Sequence, residues 1–462
     1  MTTPTQHDGH HSRGSFATRL GIILATAGSA VGLGNIWRFP VETGQNGGAA
    51  FLLVYLMCVV FLGVPMMTAE FVIGRRTHTD IASAYQRLAP HEPWYVTGYA
   101  GILCVTLILS YYSVVAGWIL RYAVAAVQGT MSSMTNASAF FESFSTATWP
   151  PLAYTLLFIL LTHLIIVRGV QRGIESFSKL MMPLLAVMLC LLAAGSMAMP
   201  GARAGVTFLL RPDFSKVDAS VVLSALGQAF FSLSIAIGCL STYASYFRRE
   251  VPLLKTAANV VALDTLVAIV SGFIIFPAVF SVEGVGADAG PGLVFVTLPS
   301  VFSSLFSGTP ALGYAFALMF YLLLVLAALT STISMHEEVT AFFVDRYHVS
   351  RRRAATYMTI VAMLLSTLCC LSFGPLRDFR PFMGRGFFDA FNDVTALWIM
   401  PLSGIVLSIF VGWRLPRDLV EDELTSGGLH RVPRWLVSTF FVLIRWVAPV
   451  AIGLIFANSL IA

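Results

Sequence analysis

The chain has 462 residues, of which 57% are hydrophobic and only 11% charged, and its mean hydropathy is +0.80. That composition excludes an ordinary soluble domain. The formal net charge of +5 is not a nucleic-acid signal, because the basic residues fall between apolar runs. Runs of about twenty apolar residues recur along the whole length, the pattern of a helical protein that crosses a bilayer many times.

Residues 1–12 are polar, include His10 and His11, and read as a disordered tail rather than a cleaved signal peptide. Eleven spans follow, near 16–43, 48–74, 95–128, 151–168, 175–199, 219–247, 256–284, 309–345, 352–373, 391–413 and 434–461. Several exceed what a bilayer needs, so they must tilt, break or project into water. Residues 13–200 hold the first five spans, 201–415 the next five, and 416–462 a loop and the eleventh.

The first span is interrupted. It carries Gly28, Gly32 and Gly34, then Asn35 and Arg38, at a depth where polar groups are costly. Glycine weakens a helix, and exposed backbone within a bilayer is tolerated only around a protected cavity. The sixth span breaks similarly between Gln228 and Gly238, with Ser232 and Ser234 clustered. Interrupted helices at matching places in two halves of a transporter point to a binding site. Close packing of small residues is the plain alternative for either cluster. It does not account for Asn35, Arg38, Gln228 and Asp264 at membrane depth. The 285–308 loop is too apolar for a solvated linker, and reads either as a hairpin dipping over an outer vestibule or as a loop packed on the bundle.

Loop charges set the orientation. Arg13, Arg19, Arg75, Arg76, Arg87, Arg168, Arg172, Arg248, Arg249, Lys255, Arg346 and Arg351 collect on one side, with few basic residues on the other. The N-terminus is expected in the cytoplasm and the C-terminus outside, in a cell (inner) membrane. The six cysteines fall in apolar runs without zinc-site spacing.

The stretch from Gly28 to Pro40 resembles the first-helix signature of the neurotransmitter:sodium symporter family. The likeness continues through Asn46-Gly47-Gly48, Gly63-Val64-Pro65, Glu70, Tyr111-Tyr112, Gly173-Ile174-Glu175, Thr242-Tyr243 and Ala327 to Thr332, in order along ten spans. The resemblance implies an all-α membrane protein with the LeuT fold: a 5+5 inverted repeat plus an eleventh transmembrane helix, with helices 1 and 6 unwound at mid-membrane. Eleven spans are similar to its shorter bacterial amino-acid transporters.

It also implies roles. A first sodium site would use Ala30, Asn35, Ser232 and Asp264, and a second would use Gly28, Val31, Ala327, Thr330 and Ser331. The family usually has Asn where Asp264 stands. Ala268 takes the place of a serine that binds chloride in some relatives. Leu33 and Gly34 amides with Tyr112 would take a substrate carboxylate, and carbonyls of Ala30, Phe231 and Ser232, with Ser234, an amino group. Ser29, Ile108, Ser234, Ile237, Ser331 and Met335 would surround the side chain under a Phe231 lid. Monoamine transporters of the family carry Asp where Gly32 stands, so an amino acid is implied. Arg38 with Asp393 (or Asp389) would gate one side, and Arg13 with Asp345, Phe16 and Tyr246 the other. Arg13 also reads as a positive-inside anchor. Glu70 holds unwound backbone in relatives. His336, Glu337, Glu338 and Arg445 have no assigned role. The expected function is sodium-coupled symport of neutral hydrophobic amino acids, independent of chloride. The rival classes are an amino-acid sensor without net transport and a channel.

Overall fold

A computed structural model describes residues 15–131, 134, 136–282, 290–306 and 308–461. Among them, nine helices are long and apolar enough to cross a bilayer: Ala49–Thr77, Tyr95–Val127, Trp149–Ile166, Val170–Met197, Leu253–Val279, Pro310–Tyr347, Arg351–Leu371, Phe387–Arg414 and Arg434–Ser459. They are spans 2 to 5 and 7 to 11. Span 1 is the pair Arg19–Ala30 and Gly34–Gln45, bent by 54° at its break. Span 6 is Ala219–Ser232, interrupted and resumed as Cys239–Ala244.

Local chemistry starts these helices where the polar residues stand. The Thr18 side chain accepts from the Gly21 amide at the head of span 1, and Asp218 from the Val221 amide at the head of span 6. Each satisfies a donor that a helix start leaves orphaned. Span 3 runs for 33 residues, about 50 Å of helix. That exceeds a hydrocarbon core of roughly 30 Å, so it projects beyond it or tilts.

Burial sorts the spans into centre and rim. Residues 327–342 of span 8 are buried on every side, as a helix at the middle of a bundle must be. Spans 4, 5 and 11 instead expose Leu157, Leu164, Leu180, Leu191, Val450 and Leu454, the faces expected to meet lipid.

After span 7 the chain dips back into the bundle. Leu293, Val294 and Phe295 are buried before the short helix Thr297–Leu305. The Tyr122 hydroxyl donates to the Phe295 carbonyl at 2.7 Å, and that of Tyr321 to the Val294 carbonyl at 2.9 Å. The Phe295 ring meets Trp37 and Trp118 edge-on. The segment is therefore a plug tied to spans 3 and 8.

Candidate substrate and ion site

The two breaks face each other. In span 1 the helix stops at Ala30, and the amides beyond it find side-chain partners. The Gly32 amide donates to Asn35 Oδ1 at 3.0 Å and the Leu33 amide to the Tyr112 hydroxyl at 3.2 Å. In span 6, Ser234 (φ 52°), Ala236 (φ 64°) and Gly238 (φ 98°) all take left-handed conformations. For Ser234 and Ala236 these cost of order 1–3 kcal/mol each, strain that persists only where surrounding structure imposes it. Glu70 of span 2 supplies that constraint. Its buried carboxylate accepts from the Ala236 amide at 2.6 Å and the Ser241 amide at 3.2 Å. Gln228 Nε2 donates to the Gly34 carbonyl at 3.0 Å and joins the two breaks directly.

Between them lies a small cavity of about 40 Å³. All the residues assigned to the substrate line it: Ser29, Ala30, Leu33, Gly34, Ile108, Tyr112, Phe231, Ser232, Ser234, Ile237, Ser331 and Met335. Gly32, Ser334 and Met400 complete the wall. Ser334 follows Ser331 by three residues on one helix face, a signal readable in the sequence. Met400 comes from span 10 and carries no such local signal.

Three of the four residues assigned to the first sodium site, Asn35, Ser232 and Asp264, also meet, and Ala30 shares the cavity wall with Ser232. Asn35 Nδ2 donates to Asp264 Oδ1 at 2.8 Å and to Ser232 Oγ at 3.0 Å, and Ser232 donates to Asp264 Oδ2 at 3.0 Å. Asp264 is fully buried, and among the described residues no basic side chain pairs with it. Asn35 presents its amide nitrogen to the carboxylate while its oxygen turns to Gly32.

The second set gathers between spans 1 and 8. The Val31 carbonyl accepts from Thr330 Oγ1 at 3.2 Å and Ser331 Oγ at 3.4 Å, and the Ala327 carbonyl from Thr330 at 2.9 Å. Gly28 packs on Thr330. Carbonyl and hydroxyl oxygens are the donor types that a hard cation takes.

A crystal structure of MhsT in complex with L-phenylalanine shares 40% sequence identity with the chain and superposes with a TM-score of 0.87, covering 97% of this chain and 100% of that one. The sodium:neurotransmitter symporter profile matches residues 13–143 and 135–462. The chain belongs to the sodium:neurotransmitter symporter family. Its relatives include an uncharacterized sodium-dependent transporter, YhdH, of Bacillus subtilis, 37% identical over 96% of this chain and 97% of its own length. Another, of Haemophilus influenzae, is 32% identical over 97% and 98%. The protein is therefore a sodium-dependent, multi-pass membrane transporter with the LeuT fold.

The ends of this symporter's site differ from expectation at one point. Arg38 does not pair with Asp393 or Asp389. It lies 3.5 Å from Glu42, one turn along its own helix, and its guanidinium stacks 4.3 Å over the Phe231 ring. Asp393 pairs with Arg385 at 2.6 Å. Each charge has taken a partner close in the chain, four residues on for Arg38 and eight residues back for Asp393. Asp389 lines a separate recess with Arg377 and Arg380.

At the opposite end Phe16 is buried edge-on against Tyr243 and Tyr246. Asp345 Oδ2 accepts from the Asp80 amide at 2.8 Å. Arg13 lies outside the described residues. The sequence left three neighbours unassigned, and the structure places them. Glu337 pairs with Arg351 at 2.5 Å and accepts from the Tyr246 hydroxyl at 2.7 Å. His336 sits between Thr340 and Thr359. Glu338 is buried beside Gly238 with no nitrogen or oxygen partner among the described residues. Arg445, unexplained by sequence, donates to the Gly412 carbonyl at 2.5 Å and lies over Phe441. The cysteines are all free.

Proposed function

We propose that this transporter imports neutral, hydrophobic amino acids with sodium by alternating access, without chloride. The observation that carries this reading is Gly32. It sits in the wall of the cavity, where an added Cβ would run into Ser331 Oγ. The protein offers no carboxylate there, so the substrate brings its own. The free ends of broken helices favour such an anion. Ile108, Ile237, Met335 and Met400 make the rest of the wall apolar, and no charged side chain lines it. Bound L-phenylalanine in the similar MhsT structure supports the same class. One methylene changes affinity by only about 1–3 kcal/mol in an apolar pocket, which favours a range of side chains over one.

Two sodium sites fit the two clusters of oxygens. The substrate carboxylate would join Ala30, Asn35, Ser232 and Asp264 around one ion, and Gly28, Val31, Ala327, Thr330 and Ser331 would hold the other. Asp264 supplies a fixed negative charge, and the buried Ala268 one turn on offers no anion ligand. Arg38 on Phe231 is the outer lid and the Phe16 cluster, with Asp345, Tyr246 and Arg13, the inner one. Residues 13–200 and 201–415 act as the two inverted repeats, and the basic loops place the N-terminus in the cytoplasm of a cell whose inner membrane holds the protein. Each charge moved inward gains about 2.3 kcal/mol per 100 mV, and a tenfold sodium gradient roughly 1.4 kcal/mol per ion.

The test is uptake of labelled amino acids into proteoliposomes under an imposed sodium gradient. Concentrative uptake of Leu-like and aromatic substrates that persists when gluconate replaces chloride is the expected result. Binding without accumulation would make the protein a sensor. Collapse in gluconate would refute chloride independence alone.

A further inference from the structure

A large concavity opens on the outside of the bundle between spans 2, 7 and 11, with a volume of about 1120 Å³, and its wall reaches Thr265, the chain neighbour of Asp264. Its walls are aliphatic and aromatic, including the half-exposed Val60, Phe61 and Leu266. On span 7 the lining runs from Leu254 to Ile269, about 22 Å of helix. Half a bilayer, headgroups included, is also about 20–22 Å thick. The groove thus extends from one membrane surface to mid-membrane, the length of one leaflet.

Its mouth is basic. Arg19, Lys255 and Arg431 line it, all exposed, and among the described residues none has an ion-pair partner. Basic residues nearby do find acids: Arg75 takes Glu423, while Arg76 and Arg249 take Asp422. Arg248 and Arg434 are also unpaired, but they lie off the groove. An apolar slot one leaflet deep under three uncompensated cations matches a single amphiphile with an anionic head.

We propose that this groove is a binding site for one anionic phospholipid, its acyl chains along the groove between spans 2, 7 and 11 and its phosphate among Arg19, Lys255 and Arg431. On the proposed orientation the groove lies in the inner leaflet; the site itself does not depend on that orientation. A basic side chain near an anionic headgroup is worth about 1 kcal/mol, or fivefold in affinity.

Native mass spectrometry of the detergent-solubilised full chain tests this after incubation with phosphatidylglycerol, phosphatidylcholine or glycerol phosphate. The expected result is one retained phosphatidylglycerol, no retained phosphatidylcholine and no retained glycerol phosphate. The triple variant Arg19→Gln, Lys255→Gln, Arg431→Gln should weaken retention about a hundredfold. Ala262→Trp, which fills the groove from an exposed position, should abolish it, and Arg248→Gln with Arg434→Gln should leave it unchanged. Equal retention of phosphatidylcholine, or retention that survives both the triple variant and Ala262→Trp, overturns the proposal. Neither readout depends on transport.

Discussion

The Glu70 carboxylate reaches from span 2 to the Ala236 amide at 2.6 Å, and so holds span 6 open at a residue with φ of 64°. Hydrogen bonds to a charged group contribute about 1.5–3 kcal/mol. Glu70→Gln keeps the shape but weakens both amide contacts. Sodium-driven uptake should fall at least tenfold, with the protein still folded by size-exclusion chromatography. Uptake within twofold of the parent would show that the break holds itself open.

Gly32 leaves room that the substrate head is proposed to use. Gly32→Asp should reduce amino-acid uptake to background, because its Cβ collides with Ser331 and its carboxylate replaces that of the substrate. Near-normal uptake would remove the argument for an amino-acid substrate.

Asp264→Asn removes the fixed charge beside Asn35 and Ser232. Uptake should fall more than tenfold in gluconate. Adding Ala268→Ser should restore part of it only when chloride is present, measured as an anion-dependent rate.

Arg38 stacks on Phe231 and pairs with Glu42, not with Asp393. Arg38→Lys keeps the charge but loses the planar stack, a contact of about 0.5–2 kcal/mol. Equilibrium binding of substrate should weaken several-fold. Asp393→Asn should change binding less than twofold, since its partner in this structure is the exposed Arg385.

Arg75 is only 2% exposed, and Glu423 is 6% exposed. That pair fastens the loop helix Arg417–Thr425 to the end of span 2, and the guanidinium also donates to the Val251 carbonyl at 2.5 Å, ahead of span 7. Arg75→Ala leaves the buried Glu423 carboxylate with only the longer Arg76 contact of 3.4 Å and should cost about 3 kcal/mol in thermal unfolding in detergent. The exposed Arg76→Ala should cost less than about 1 kcal/mol.

The sequence by itself determined where the chain is helical and where two helices break, because both signals are local. Apolar runs mark the spans to within a few residues, as with 95–128 against the observed Tyr95–Val127. Glycine and serine clusters mark the interruptions at Gly32 and Ser234. The spacing of Ala327, Thr330 and Ser331 puts them on one helix face, but ordinary interhelical hydrogen bonding fits that spacing equally, and only the family resemblance pointed from it to an ion. Only the tertiary structure decided which distant groups meet. Met400 enters the cavity from span 10, Arg445 finds the carbonyl of Gly412, Glu337 takes Arg351, and Arg38 prefers Glu42 to Asp393. Hydropathy and helix periodicity tell a side chain which way to face. Its partner is chosen by distances across the bundle, and no repeat along the chain encodes them.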